Sequence, residues 1–581
     1  MSMKHRRALG AGIAVTAVAA LVAATPAMAA NGKKPKPPVK KPSLQTVQLL
    51  SFNDYHGHIQ ATDGPLSAVH DPNGTPVGGA EYLSTKLTQL RDKVGDGRSL
   101  TVAAGDLIGG STFISGLFHD EPSVETLNAM GLDVSSVGNH EFDEGTTELL
   151  RMQNGGCHPV DGCYFPDEPY PGADFPWLAA NVVKKSDGKT LLPGTWVKKV
   201  AGVQVGFIGM TLEGTDLLVS PGGVSSVTFE DEVETANAAA AQLKARGVEA
   251  IVVLMHEGGL NTGTYNGCKD ISQPISTMAT QFDPEIDQII TGHTHNPYVC
   301  SIKDPAGNPR FVTSAADYGR VVTESTLKID RHTGEVDRAA SVVQNHLVTR
   351  GTADPVMTEI IAKWDALSGP VGAQIVGTHS EDILGDESPR TNRAIETPMA
   401  SMVADAILWG TSGAGGGAQI AFMNVGGVRE SLPMAPKYAE GPGEITYAEA
   451  FDIAPFGNLL NTVTMTGAQV KAVLEQQYRV SSTGVPSVLA LNVSKGFTYT
   501  WTAGAPQGSK VSNMALNGVP LQMDQTYRVG TLSFLTQGGD GFSAFLQATN
   551  LTGGPEDLKN LVDFFKANPG LTAPTSRVDG L

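Results

Sequence analysis

The chain has 581 residues, of which 41% are hydrophobic, with 67 Gly, 35 Pro and a formal charge of −18. That length exceeds what one core supports and implies two to four domains, with the composition of a folded soluble protein. The acidic balance argues against nucleic-acid polymers as partners, since those are bound through Lys and Arg.

The first thirty residues stand apart. Lys4, Arg6 and Arg7 precede an apolar run from Ala8 to Ala24 and a small-residue cleavage site at Ala27-Met28-Ala29, the pattern of a secretory signal peptide over 1–30. An uncleaved anchor is the weaker alternative, because the Ala-rich run falls short of the roughly 20 residues that span a bilayer. Removing its three positive charges takes the formal charge from −18 to −21. Asn31 to Ser43 is rich in Lys and Pro and is expected to be an extended tether. Secretion into the medium without a membrane anchor is the expectation, with a loose cell-wall contact through the tether as the alternative. Export permits disulfides among Cys157, Cys163, Cys268 and Cys300. Of the three connectivities, Cys157 with Cys163 and Cys268 with Cys300 is favoured, the first pair sharing one Gly-rich loop. No Cys-x-x-Cys spacing supports a zinc–thiolate site.

Strand and helix alternate from Val47 onward. Val47 to Phe52 is a strand that delivers Asp54 and His56, Ala80 to Asp92 has helical spacing, and Leu100 to Ala104 is a strand ending in Gly105-Asp106. The helix Glu121 to Met130 leads into the short strand Val134 to Val137, which Gly138 releases into Asn139-His140-Glu-Phe-Asp143. Strand Val203 to Met210, helix Asp231 to Arg246 and strand Ala250 to Met255 follow, the last ending in His256. Ile286 to Ile290 then ends in Gly292-His293-Thr-His295. One His after a strand is usually a satisfied core or surface residue. Five strand ends that each carry a ligand type are a different matter, because strands of one sheet wound with crossover helices end on one edge, where ligands bind. These donors exceed one tetrahedral site, so two ions are expected, with Asp106 as the natural bridge. Carboxylate, amide and imidazole donors without thiolate suit Zn²⁺, Mn²⁺ or a similar ion such as Co²⁺. Paired ions roughly 3.5–4 Å apart clamp a phosphoryl group and acidify water, so the expected reaction is phosphate-ester hydrolysis.

Asp54-x-His56, Gly105-Asp106, Gly138-Asn-His-Glu-Phe-Asp143, His256 and Gly292-His293-x-His295 resemble the calcineurin-like metallophosphoesterase pattern as found in secreted 5'-nucleotidases. The resemblance implies Asp54, His56 and Asp106 at one metal and Asp106, Asn139, His256 and His293 at the other. His295 stands where a bacterial periplasmic member has Gln as a ligand. His140 is implied to stabilise the transition state, oriented by Asp143.

Asp354 to Ser368 has helical periodicity and joins the halves, after which the composition loses Cys and most His. Helices are expected over Thr397 to Leu408 and Gly467 to Tyr478, and a strand over Gln419 to Met423. The loops Asn424 to Arg429, Pro455 to Asn458 and Gln537 to Phe542 could each be a plain turn. Together they resemble the substrate-binding domain of the same 5'-nucleotidase family, over most of Thr46 to Leu561. The resemblance implies phosphate or carboxylate contacts from Arg393 and Arg429, an aromatic sandwich for the base from Phe456 and Phe534, and base and ribose hydrogen bonds from Asn424 and Asp540. The segment from Arg390 to Glu396 departs from the pattern and leaves the role of Arg390 open.

The expected architecture is therefore α/β (α+β): a four-layer metallophosphoesterase domain over 44–350, a linker helix over 351–372 serving as a hinge, and a mixed α/β nucleotide-binding domain over 373–581. The expected activity is hydrolysis of nucleoside 5'-monophosphates by a metal-activated water. The alternatives on the same scaffold are a 2',3'-cyclic nucleotide phosphodiesterase or a nucleotide-sugar or dinucleotide pyrophosphatase, and outside catalysis a secreted nucleotide-binding protein. A monomer is expected, with a dimer as the alternative.

Overall fold

Two six-stranded sheets, stacked face to face, carry the N-terminal half of the chain in the computed structural model. The structure describes residues 43–581 apart from 63, 220, 386–391, 414–415 and 481–485. The expected signal peptide, the tether up to its last residue, and Arg390 lie outside the described residues.

The first sheet runs in the order Val342–Leu347, Val321–Asp330, Leu44–Phe52, Ser99–Ala104, Val134–Ser136, Trp177–Leu178, its last four strands parallel. The second runs Tyr298–Lys303, Pro309–Ser314, Ile286–Thr291, Ala250–His256, Val203–Thr211, Thr195–Val200, with four parallel strands inside two antiparallel edges. Strand residues alternate between faces. Leu49, Val102, Val134, Val252 and Leu254 therefore fill the seam between the sheets. Leu50, Phe52 and Ala103 point outward under the helices Ala80–Asp92 and Glu121–Met130. Ile251, Val253 and Met255 point outward under the helix Glu232–Ala245. Burial on both faces explains why these strands are continuous apolar runs in the sequence.

The result is the expected four-layer α/β arrangement, with one correction to how the strand ends meet. They belong to two sheets, not to one wound sheet. Leu44–Phe52, Ser99–Ala104 and Val134–Ser136 lie in the first, and Ala250–His256 and Ile286–Thr291 in the second. Stacking with parallel strands aligned brings both sets of C-terminal ends to the same side. Both expected cysteine pairs, Cys157–Cys163 and Cys268–Cys300, are disulfides.

The helix Pro355–Gly372 is docked against the N-terminal half. Asp354 caps its first turn and accepts a hydrogen bond from Ser84 Oγ at 2.5 Å, Met357 and Trp364 are buried, and Trp364 Nε1 donates to Glu125 Oε2 at 2.7 Å. Beyond it, a five-stranded sheet in the order Leu491–Val493, Ile420–Asn424, Thr526–Leu532, Leu459–Thr466, Thr549–Glu556 forms the centre of the C-terminal half. Ala421 and Met423 face the helices Pro398–Thr411 and Asp557–Ala567, while Ile420 and Phe422 face the helix Gly467–Glu475. That last helix stops short of its expected end, and Tyr478 opens the strand Tyr478–Val480.

The halves share a core contact. Phe113, from the N-terminal half, is 4% exposed and belongs to the apolar cluster of the C-terminal half, its ring centroid 5.5 Å from that of Phe451 and 5.8 Å from that of Tyr447. Its backbone N–H donates to Asp452 Oδ1 at 2.9 Å. A buried ring that crosses from one half to the other fixes their relative placement. Phe113→Ala is expected to cost about 3–5 kcal/mol of stability, as truncation of a buried Phe does. Urea unfolding checks it, and a loss under about 1 kcal/mol would mean that this contact does not join the halves.

Candidate metal centre and substrate cleft

Three of the five strand ends hand over their polar residues in a strained backbone. Asp54 (φ 51°), His56 (φ 48°), Asp106 (φ 51°), His293 (φ 70°) and His295 (φ 53°) all occupy the left-handed region, which non-glycine residues seldom adopt. Two glycines allow the strand ends to close on one another. A Cβ on Gly138 would lie 2.2 Å from Asp106 Oδ1, and one on Gly105 would lie 2.6 Å from Gly138 N and 2.8 Å from His256 Nδ1. Only a bare backbone fits there.

The expected ligands gather in two groups, Asp54 with His56 and His295, and Asp106 with His256 and His293, the ligand atoms of each group within 4.8 Å of one another. Asp106 Oδ2 lies 2.8 Å from His256 Nε2 and 3.7 Å from His56 Nε2, so it faces both groups. His295 Nε2 lies 3.2 Å from Asp54 Oδ1. Asn139 Oδ1 lies 3.0 Å from His293 Nδ1, which brings the amide into the second group.

The imidazoles are preset. His56 Nδ1 is 2.6 Å from the Gly109 carbonyl and His256 Nδ1 is 2.8 Å from the Ala104 carbonyl, so each Nδ1 donates outward and each Nε2 faces the cluster. Burial holds His56 well below its ordinary pKa, leaving it neutral. Its Nε2 lone pair is buried without a hydrogen-bond partner among the described residues, and it looks at an ionised carboxylate. Burial also resists ionisation of Asp106, but the charge and hydrogen bond of His256 outweigh it and hold the carboxyl well below its usual range. Burial pushes His256 down and Asp106 more than reverses this, bringing it to about 10. Inward-facing acceptors that lack donors are costly unless a cation satisfies them, and the oxygen and imidazole donors present fit a pair of divalent ions.

His140 Nδ1 lies 2.8 Å from Asp143 Oδ2, and its backbone N–H donates to Asp106 Oδ1 at 2.8 Å. Its ring is 5.0 Å from that of His56 and stacks at 5.9 Å and 16° on Phe456. His140 therefore stands between the ligand cluster and the C-terminal half. One cleft is lined by Asp106, Asn139, His140, Asp143, His293 and His295 on one side and by Arg393, Asn424, Arg429, Phe456, Phe534 and Asp540 on the other. Arg429 lies over the Phe456 ring at 5.6 Å. Asn424 Nδ2 donates to Asp540 Oδ2 at 2.7 Å, so these two orient one another. The Phe534 ring lies against Gly539, where a Cβ would sit 2.4 Å from it. Both Phe456 and Phe534 are half-buried, which leaves ring surface for a ligand.

Residues 49–297 match the family model of calcineurin-like phosphoesterases, and residues 375–547 match that of the 5'-nucleotidase C-terminal domain. The chain belongs to the 5'-nucleotidase family. It is 32% identical to the cell wall protein Lmo0130 of Listeria monocytogenes, over 90% of this chain and 67% of that one. It is also 32% identical to the endonuclease YhcR of Bacillus subtilis, over 90% of this chain but only 40% of that longer protein. The 5'-nucleotidase of Vibrio cholerae is 25% identical over 90% of both chains. The crystal structure of a 5'-nucleotidase precursor from Thermus thermophilus superposes with a TM-score of 0.73 at 26% identity, covering 92% of this chain and 99% of that one. As a member of this family the chain is a phosphoesterase hydrolase, of a kind that uses a dimetal centre. Among the described residues no helix is long and apolar enough to cross a membrane.

Three supports of this 5'-nucleotidase-family centre were not singled out in the sequence. Glu141 is buried and accepts from the backbone N–H groups of Asp106 (2.9 Å), Leu107 (2.8 Å) and Gly138, tying two of the strand ends together. Burial, reinforced by Asp106, pushes its carboxyl up to about 8. Asp317, fully buried, lies 3.0 Å from His295 Nδ1 and turns that ring toward Asp54. Asn53 donates Nδ2 to Asp54 Oδ2 at 2.6 Å and accepts from Ala315 N at 2.8 Å. Glu141 lies inside the Gly138-to-Asp143 motif, where a residue without a ligand role gives no signal of its own. Asp317 follows a strand that carried no other signal. Glu141→Gln is expected to weaken metal affinity about 10–100-fold, because it loosens the loop that presents Asp106 and Asn139. Metal retained during dialysis against graded chelator measures this, and an unchanged retention curve would make Glu141 a bystander.

Proposed function

We propose that the chain is a secreted dimetal 5'-nucleotidase that hydrolyses nucleoside 5'-monophosphates to nucleoside and phosphate, with 44–350 carrying the chemistry and 373–581 the recognition of the nucleoside. One observation carries this reading. A single cleft is lined on one side by inward-facing metal donors and on the other by two half-buried Phe rings with Arg, Asn and Asp.

Asp54, His56, Asp106 and His295 would hold one ion, and Asp106, Asn139, His256 and His293 the other, with Zn²⁺, Mn²⁺ or Co²⁺ suited to the donors. When bound, the pair supplies Lewis-acid polarisation of the phosphate and activation of water. The remaining roles belong to side chains. His140, held by Asp143 through Nδ1, presents its ring edge to the cleft, where an imidazolium stabilises negative charge on the transferring phosphoryl group or protonates the leaving oxygen. Arg393 and Arg429 offer planar donor forks to the phosphate oxygens. Phe456 and Phe534 stack the base, and the Asn424–Asp540 pair reads base or ribose hydroxyls. The signal-peptide pattern of 1–30 and the likeness to a cell wall protein support secretion.

The reading sets the following expected outcomes. Chelation abolishes phosphate release from AMP, and Mn²⁺, Zn²⁺ or Co²⁺ restores it, whereas full turnover by metal-free protein contradicts the mechanism. A panel of AMP, NAD, UDP-glucose and 2',3'-cAMP then ranks the monoester reading against the diesterase alternatives. His140→Ala lowers kcat by roughly 10²–10⁴ with both ions retained, and an equal loss of metal would make it a ligand. Phe534→Ala removes about 1–3 kcal/mol of base-dependent binding, seen as poorer kcat/KM for AMP with little change for p-nitrophenyl phosphate. Phe456 is the less discriminating probe, since its ring also stacks on His140 and its loss should touch both substrates. Equal loss on both substrates for Phe534→Ala, at unchanged melting temperature, would assign that ring to closure of the cleft instead.

A further inference from the structure

A second cluster of metal-ligating side chains lies outside the cleft. The donor atoms of His119, Glu144, Glu148 and His158 lie within 4.8 Å of one another. His119 Nδ1 is 2.8 Å from Glu144 Oε2 and its Nε2 is 2.8 Å from Asp161 Oδ2, while His158 Nδ1 is 3.5 Å from the same Asp161 oxygen. The two imidazoles stack with centroids 3.7 Å apart and planes 21° from parallel.

Three separate segments supply this set. His119 precedes the helix Glu121–Met130 and sits at φ 49°, again in the left-handed region. Glu144 and Glu148 lie at the start of the helix Gly145–Asn154. His158 and Asp161 lie inside the loop that Cys157–Cys163 closes. That disulfide ties the loop only to itself, so the contacts of His158 and Asp161 are among those that hold it to the body of the protein. Arg151 donates to both oxygens of Glu148 and to Glu121, which fixes the Glu148 carboxylate as an outer partner fixes a ligating one.

The electrostatics favour a cation. Three carboxylates, Glu144, Glu148 and Asp161, stand around two imidazoles, and a divalent ion accepts donors of both kinds from several directions at once. Tetrahedral zinc with bonds of about 2.0–2.2 Å needs its ligands somewhat over 3 Å apart, a small contraction of the observed cluster.

We propose that His119, Glu144, Glu148 and His158 form a further divalent-cation site, of a kind suited to Zn²⁺, that clamps the disulfide loop onto the segments supporting the cleft. Those segments are near neighbours of the chemistry. Asp120, next to His119, accepts from Gly109 N at 2.8 Å, and the Gly109 carbonyl is the partner of His56 Nδ1. Glu144 follows Asp143, the partner of His140. An ion bound here would brace both supports from behind without touching substrate.

The test uses the full secreted chain carrying Asp106→Ala, so that the result does not depend on the reading of the cleft. Protein stripped with chelator and dialysed against Zn²⁺ is counted by native mass spectrometry, with and without His158→Gln, which alters a side chain on the loop alone. The expected result is one fewer Zn²⁺ per chain with His158→Gln, and the same loss with Glu144→Gln. The Zn²⁺-dependent rise in melting temperature should be smaller in both. Equal ion counts with and without the substitutions, whatever the total, overturn the proposal and leave a proton-held ion-pair cluster.

Discussion

The structure turns on one buried carboxylate. Asp106 lies at the end of a strand with a left-handed backbone, accepts His140 N through one oxygen, and faces His56 and His256 through the other. Burying a charge of this kind is tolerable only where it is paired. Much of the surrounding sequence serves that requirement. Gly105 and Gly138 have no side chain because Asp106 and its neighbours occupy the space a Cβ would need. Glu141, itself a buried acid, gathers the backbone N–H groups around Asp106 and keeps the two loops in register. The outward Nδ1 bonds of His56 and His256 leave only their Nε2 atoms for the centre.

The second constraint is the union of the halves. Each half has its own apolar clusters, and neither half alone lines the whole cleft. Phe113 enters the C-terminal cluster, its N–H meets Asp452, and Lys437 and Tyr438 converge on the other oxygen of that same Asp452 at 2.9 and 2.6 Å. The buried network places Phe456 and Arg429 within reach of His140. The residues proposed for base recognition and those proposed for phosphate chemistry thus share one space although they lie hundreds of positions apart. A helix docked on Glu125 and Ser84 joins the halves, so any relative movement has to arise beyond its buried residues Met357 and Trp364.

Most of the centre was legible because its physical demands leave local traces. An apolar run followed by Gly and a ligand type marks a buried parallel strand that ends at a site, and the helices Ala80–Asp92 and Glu121–Met130 have the bounds that periodicity predicts. The two-sheet arrangement was not legible from the runs themselves. A strand buried between two sheets and one buried between a sheet and helices are both continuous apolar stretches. The antiparallel strands Tyr298–Lys303 and Val342–Leu347 are short and polar on one face, and they left a weak pattern. Supports such as Asp317 reach the centre through a contact made only in three dimensions, here with His295, which spacing along the chain does not encode. The His119 cluster was missed for the same reason, since its members come from three segments and none follows a strand.

The claim on which the account depends most is that Asp106 is shared by two ions. Ions bridged by one carboxylate lie about 3.5–4 Å apart, close enough for their spins to couple. Low-temperature electron paramagnetic resonance of the stripped chain reloaded with Mn²⁺ to two ions per chain reads this directly. The account predicts the signature of a coupled Mn²⁺ pair that disappears in Asp106→Ala. A spectrum of isolated Mn²⁺ alone at that loading would contradict it.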